Sequence, residues 1–459
     1  MITKYRGKQY KSLLDASKHA ARDLSNEEED YVTRRFAVTA LQSYGPETAA
    51  AHAETLVNAL QTDEDVGVRY CVVGLLAIMA KAGSAGSAHK AISNHAEAVV
   101  GALREPDPGI RFWAATALEG IGPSAAEHSS GLIDMLGDSD PDVRVAVAKA
   151  IRAVTLGAAV DAAKVVSAEL ASKDSFFRAS AAESLGALGP DATPYAQKLG
   201  KALKDKYAKV RLAAASALGK AGPEAVKVVA ASLAKVSQED VDADVRAAAA
   251  LALQQYAPSD ALQDKSAPLR IWGAMTLSKS LDAVKTHAAA LGAALKDKKP
   301  EVRYWAVVGL GTMGPDAAEF EAVLTAAVND ADGFVSLAAT RAVKNVCGRP
   351  SLKKIVVMLT RRLQHKKETV RACAAEALSV VGDVALPQAG ALRDVLTDED
   401  FHVKLNALRA LADMGAPAVR PGGAAIAELA KSDPDPEIRR TALKILLSCN
   451  LAQRFGLSY

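Results

Sequence analysis

Aromatic residues make up only 5% of the 459-residue chain, and there are just four cysteines. With aromatics so scarce, the apolar half of the sequence is mostly alanine, leucine and valine, a composition that favours helix over sheet. Cys71, Cys347, Cys373 and Cys449 lie far apart and form no Cys-x-x-Cys pair. That argues against a disulfide framework or zinc finger and for a reducing, intracellular setting, most simply the cytoplasm. No apolar run reaches the roughly 18 residues of a membrane span. The opening MITKYRGKQYKSLLDASKH lacks the apolar stretch of a signal peptide, so no membrane insertion is expected. Neither sign of charge dominates: 56 basic minus 53 acidic residues leave +3. Such a balance excludes a polybasic tail protein and an acidic disordered one, and it argues against nucleic acid as the main partner. No Walker loop, Gly-x-Ser-x-Gly or His-Glu-x-x-His motif occurs.

What the chain does contain is repetition. An acidic turn, an aliphatic residue, arginine, alanines and leucine recur in that order. The pattern reads DPGIRFWAATALEGIGP from Asp107, DPDVRVAVAKAI from Asp140, PEVRYWAVVGLGTMGP from Pro300 and PEIRRTALKILL from Pro436. One marker per copy gives Arg34, Arg69, Arg111, Arg144, Arg178, Arg211, Arg246, Arg270, Arg303, Ser336, Arg371, Lys404 and Arg439. Most intervals are about 33 to 35 residues, the length of a two-helix solenoid unit. In the Arg144 copy, Val143, Val147, Ala150, Ile151 and Val154 form one helical stripe behind an Asp140 N-cap. Gly-Pro pairs such as Gly122-Pro123 and Gly189-Pro190 then end the helix, since glycine accepts a left-handed cap and proline blocks continuation. The marker arginines Arg69, Arg111, Arg144, Arg178, Arg211, Arg246, Arg303, Arg371 and Arg439, paired with turn acids, are expected to link repeats into a ladder.

These motifs resemble the HEAT-repeat family over about residues 10 to 450, including its alanine-rich subclass found in phycobilin lyases and deoxyhypusine hydroxylases. The resemblance implies a single all-α, right-handed superhelix of about 13 two-helix repeats, a HEAT/armadillo-like solenoid. It also implies that the Val-Arg helix is the second of each pair and lines the concave side. Deoxyhypusine hydroxylases bind iron through His-Glu dipeptides, and this sequence has none.

Departures from the pattern divide the chain. Residues 1–30 read as an N-terminal helical cap, 31–450 as the solenoid and 451–459 as a tail. A Gly/Ser/Ala loop is expected near 81–95, and a truncated first helix near 254–268, either a hinge or a static kink. GLGTMG, Gly309 to Gly314, matches a dinucleotide fingerprint but ends a helix instead of opening one, the wrong dipole end for a pyrophosphate. Eight histidines are scattered, with no carboxylate or cysteine cluster beside them, so neither a metal nor a cofactor is expected.

Positions one, five and eight residues past the marker should face outward. They carry Tyr70, Phe112, Leu212, Leu251, Ile271, Met275, Tyr304 and Val308, which would make the concave face apolar. All three tryptophans, Trp113, Trp272 and Trp305, sit two residues past a marker, where a ring either fills the gap between repeats or anchors a partner. A basic stretch with Lys353, Lys354, Arg361, Arg362, Lys366 and Lys367 is either a solvated face or a polyanion contact. The last helix, from Thr441, looks apolar nearly all round. It would dock on a partner or self-associate unless the tail folds over it. Together these features predict a non-catalytic scaffold or adaptor in a multi-protein assembly. The alternatives are a phycobilin-lyase-like enzyme handling a tetrapyrrole and a binder of nucleic acid or acidic tails.

Overall fold

The computed structural model describes residues 3–83 and 86–457. The chain divides into two compact units, Met1–Tyr256 and Ala257–Tyr459. Each is a stack of helix pairs. In the first unit the second helices of the pairs are Tyr31–Ser43, Val66–Ala80, Pro108–Ile121, Pro141–Val154, Ser175–Leu188, Ala208–Ala221 and Ala243–Leu253. In the second they are Ala267–Leu277, Pro300–Thr312, Gly333–Val346, Glu368–Val381, Phe401–Asp413 and Pro436–Ser448. Within each unit, successive second helices pack side by side. Alanines and glycines permit this: a Cβ on Gly186 would come within 2.9 Å of the Ala217 backbone. The core is a row of alanine, leucine and valine, with Val147, Ile151, Leu185 and Leu218 fully buried. No two-helix unit could bury that stripe alone, so stability resides in the stacking.

Turn chemistry explains where the helices begin and end. Asp140 Oδ1 accepts from the backbone N–H groups of Asp142 and Val143 at 2.9 and 3.1 Å, and Pro141 opens the helix. Gly122 closes the preceding one at φ +64°, a conformation that costs glycine little and other residues much.

Ion pairs tie each repeat to the next. Arg111 Nε and Nη2 grip both oxygens of Asp138 at 2.7 and 2.9 Å, and Arg111 Nη1 donates to the Glu105 and Pro106 carbonyls. Asp138 Oδ1 also accepts from the Asp140 backbone N–H at 2.8 Å, fixing the turn that starts the next second helix. The same two-pronged rung joins Arg34 to Asp63, Arg178 to Asp205 and Arg211 to Asp240 in the first unit. In the second it joins Arg270 to Asp297, Arg303 to Asp330 and Arg371 to Asp398. Arg69 to Glu105 and Lys404 to Asp433 are single-contact versions. Arg246 and Arg439 donate only to carbonyls of their own turns among the described contacts. Hydrogen bonds from Arg178, Arg211 and Arg371 hold Asp205, Asp240 and Asp398 below the usual carboxylate range.

Three sequence expectations need correction. Residues 3–10 form a two-stranded β-hairpin, not helix: Thr3–Tyr5 pairs with Lys8–Tyr10 around Arg6 and Gly7, both at positive φ. Tyr5 is buried there, stacks on Phe36 at 5.6 Å and donates to Asp23 at 3.0 Å, and the expected helix starts only at Leu13. Met1 and Ile2 lie outside the described residues. The anticipated loop near 81–95 is largely the helix Ser87–Ser93, because Ala88 and Ile92 share an apolar face and are fully buried. Ser84 and Ala85 of that stretch lie outside the described residues. Near 254–268 the first helix is one turn, Pro258–Ala261, and Gly273 lets its partner approach: a Cβ there would stand 2.7 Å from the Pro258 carbonyl. The last helix is not apolar all round. Glu437, Arg440, Lys444 and Ser448 face solvent, while Leu451 and Ala452 fold inward and the Phe455 ring lies against Gly423. Residues 458–459 of the tail lie outside the described residues.

Candidate functional site

The marker register places the candidate partner residues on the second helices. In the first unit, Tyr70 is 43% exposed and its ring lies over Gly109 of the next repeat. Phe112 and Trp113, both half-buried, meet edge to face at 5.4 Å, and Trp113 packs over Gly74. The three rings form one cluster across two repeats. Farther along the same unit, Leu212 is half-buried and Leu251 is 64% exposed. In the second unit Ile271 and Met275 share one helix, and Tyr304, Trp305 and Val308 the next, all half-buried. Tyr304 and Trp305 repeat the edge-to-face arrangement at 5.2 Å. Trp272 departs from the group: it is 4% exposed and belongs to the interior. Two residues past the marker a ring stands at the border of the buried stripe, and in this repeat it turns inward. The candidates therefore form separate apolar patches within each unit, on the packed second helices.

Of the basic candidates, Lys353, Lys354, Arg361, Lys366 and Lys367 are exposed. Arg362 is not; it is 7% exposed, and burial pulls its guanidinium below the ordinary value. Its neighbours explain why. The marker of the tenth repeat is Ser336, and His365, six residues before Arg371, stands where other rungs have their aspartate. Both ends of that rung are missing. Ser336 Oγ donates to the Val328 carbonyl at 2.5 Å instead. Arg362 fills the vacated space from the opposite helix, its Nη1 3.5 Å from Asn329 Oδ1, with Nε and Nη2 buried and unpartnered. Arg144 is a milder case. It meets Ser180 at 2.9 Å rather than a carboxylate and covers the Phe177 ring at 4.3 Å, with Nη2 left over. Reading positions 336 and 365 together would have shown the broken rung, but nothing in the local sequence turns Arg362 inward.

Nucleophiles fare poorly. Burial raises the Cys71 and Cys347 thiols, and Cys373, buried beside Glu376, is pushed up to about 11. Among the described residues no group of three or more His, Cys, Asp or Glu side chains converges to hold a metal ion. None of the described helices is long and apolar enough to cross a membrane.

Residues 163–254 match the family model for HEAT repeats. No curated protein matches the chain. Among solved structures, an engineered protein is 23% identical, with 79% of this chain and 98% of that one covered, at a TM-score of 0.33. The karyopherin Kap121p, bound to the extreme C-terminus of the protein phosphatase Cdc14p, is 14% identical, with 96% of this chain covered, at a TM-score of 0.46. This chain spans about half of that karyopherin, 54% of its length. Kap95p, in a structure with RanGDP, is 14% identical, with 97% of this chain and 70% of that one covered, at a TM-score of 0.43. The chain is thus an all-α solenoid whose repeats resemble those of the HEAT family, with residues 163–254 matching that family directly.

Proposed function

We propose that this protein is a non-catalytic scaffold that binds partner proteins through the outward face of its second helices. The observation that carries the reading is the set of part-exposed rings and aliphatic side chains at fixed repeat positions: Tyr70, Phe112 and Trp113 in the first unit, Tyr304, Trp305 and Val308 in the second. Large rings on helices packed against both neighbours bind at low entropic cost, and Trp and Tyr are common interface anchors. The inward, high-pKa Cys373 is a poor nucleophile for attaching a tetrapyrrole. The four free thiols fit a reducing, intracellular setting.

The test is recovery of the protein from its source by a mild tag, beside Tyr304→Lys and Leu251→Lys variants. A partner protein bound one to one, and reduced at least about tenfold by one of the charged variants, is the expected result. A monomer carrying a pigment or a nucleic acid, and no protein, would overturn the reading.

A further inference from the structure

We infer that the turn edge of the Arg178 and Arg211 repeats is a second docking surface, for a short acidic segment of a partner protein that carries an apolar side chain. This edge is separate from the outward helix face, and the inference stands without that reading. Phe176, in the first turn of the Ser175–Leu188 helix, and Tyr207, the N-cap of the next second helix, are 61% and 47% exposed. Lys209 Nζ lies 5.4 Å from the centre of the Phe176 ring, and Lys206 Nζ 4.9 Å from that of Tyr207. Lys173 occupies the same repeat position as Lys206, one repeat earlier.

Charge is unbalanced here for a structural reason. Asp205 is already gripped by Arg178, and Asp174 accepts the Phe176 backbone N–H at 2.8 Å. The Ala208–Ala221 helix has Tyr207 at its N-cap, without the aspartate cap of the repeats on either side. Lys173, Lys206 and Lys209 consequently form no ion pair among the described contacts. Two unpaired ammonium groups seated on two exposed rings, with Lys173 at the matching position of the preceding turn, complement a carboxylate-rich peptide with an apolar residue.

The patch is also bounded. The turn before it carries Asp140 and Asp142, the turn after it Asp242 and Asp244. A polynucleotide tracking along the edge would meet these acids within one repeat on either side. Neighbouring helices stand about 8–10 Å apart, so two repeats span roughly 20 Å, or about six extended residues. The cations are point-charge lysines already seated on the ring faces where a base would stack. A short peptide fits these limits and a long polyanion does not.

The experiment is fluorescence anisotropy with the full chain and a labelled eight-residue peptide of alternating glutamate and phenylalanine. A lysine-for-glutamate peptide and an eight-nucleotide oligothymidylate serve as comparators. The expected result is saturable binding of the acidic peptide that weakens at least about tenfold in a Lys206→Glu/Lys209→Glu double variant and severalfold in Phe176→Ser. Lys298→Glu/Lys299→Glu, in the second unit, should leave it unchanged. All five positions are exposed, so folding survives; superimposable thermal melts check this. Failure of the acidic peptide to bind, equal loss in the second-unit variant, or tighter binding of the oligonucleotide would each overturn the inference.

Discussion

The Arg303 and Ser336 repeats are neighbours in the second unit and have opposite electrostatics. At Arg303 the guanidinium and Asp330 meet through two hydrogen bonds of 2.7 and 2.6 Å, with both side chains largely buried. One repeat later the marker is a serine and His365 takes the place of the aspartate, yet a cation is still present: Arg362 enters from the first helix with two donor nitrogens unmet. The same buried charge is a clamp where a carboxylate answers it and a liability where none does.

The largest effect should come from breaking a complete rung. Arg303→Met strands Asp330 in a part-buried site and should cost about 3–5 kcal/mol, read as a lower urea midpoint. Arg362→Met, the same chemical change one repeat on, should move the midpoint the other way, by about 1–2 kcal/mol, because it removes an unanswered buried charge. Equal destabilisation by the two would erase the contrast. Acid sharpens it next. Asp205, Asp240 and Asp398 are held below their ordinary 3.8 by their arginines. Their contribution is complete above that value, where both folded and unfolded carboxylates are ionised. It is lost as pH falls from about 4 through the lowered folded values. Asp398→Asn should therefore weaken the protein at neutral pH and flatten its stability decline below about pH 4. The smallest effect is chemical. Cys373, across from Arg362, should react with iodoacetamide at pH 8 far more slowly than the half-buried Cys449, by mass spectrometry of the folded protein.

Much of this was legible because repetition averages out local ambiguity. A marker arginine, an Asp two or four residues ahead of it, and a closing Gly-Pro recur often enough to fix the second helices and the ladder, even where one copy is degenerate. Misreadings fell where a residue's fate depends on something outside its own repeat. Trp113, Trp272 and Trp305 share a repeat position, yet only Trp272 is interior. Arg362 sits in a run of exposed basic residues and is drawn inward by a gap left 26 positions earlier, at Ser336. The hairpin did leave a trace: Tyr5 and Tyr10 flank Arg6-Gly7 at strand spacing, a signal overridden by the helical composition around it. The turn edge of Phe176 and Tyr207 escaped notice because it lies off the helix face that periodicity highlights.

The rungs have a direction: each arginine reaches forward to the aspartate of the following repeat. A chain built this way can be shortened without breaking its grammar, provided the cut respects that reach. Removing residues 205–239 would bring Asp240 to the place in sequence that Asp205 now holds, leaving Arg178 a carboxylate to grip and Arg211 gone with its own repeat. A cut shifted by half a period would instead leave an arginine facing the wrong turn. Length in such a protein is therefore editable in whole periods, and the ladder sets where the seams fall.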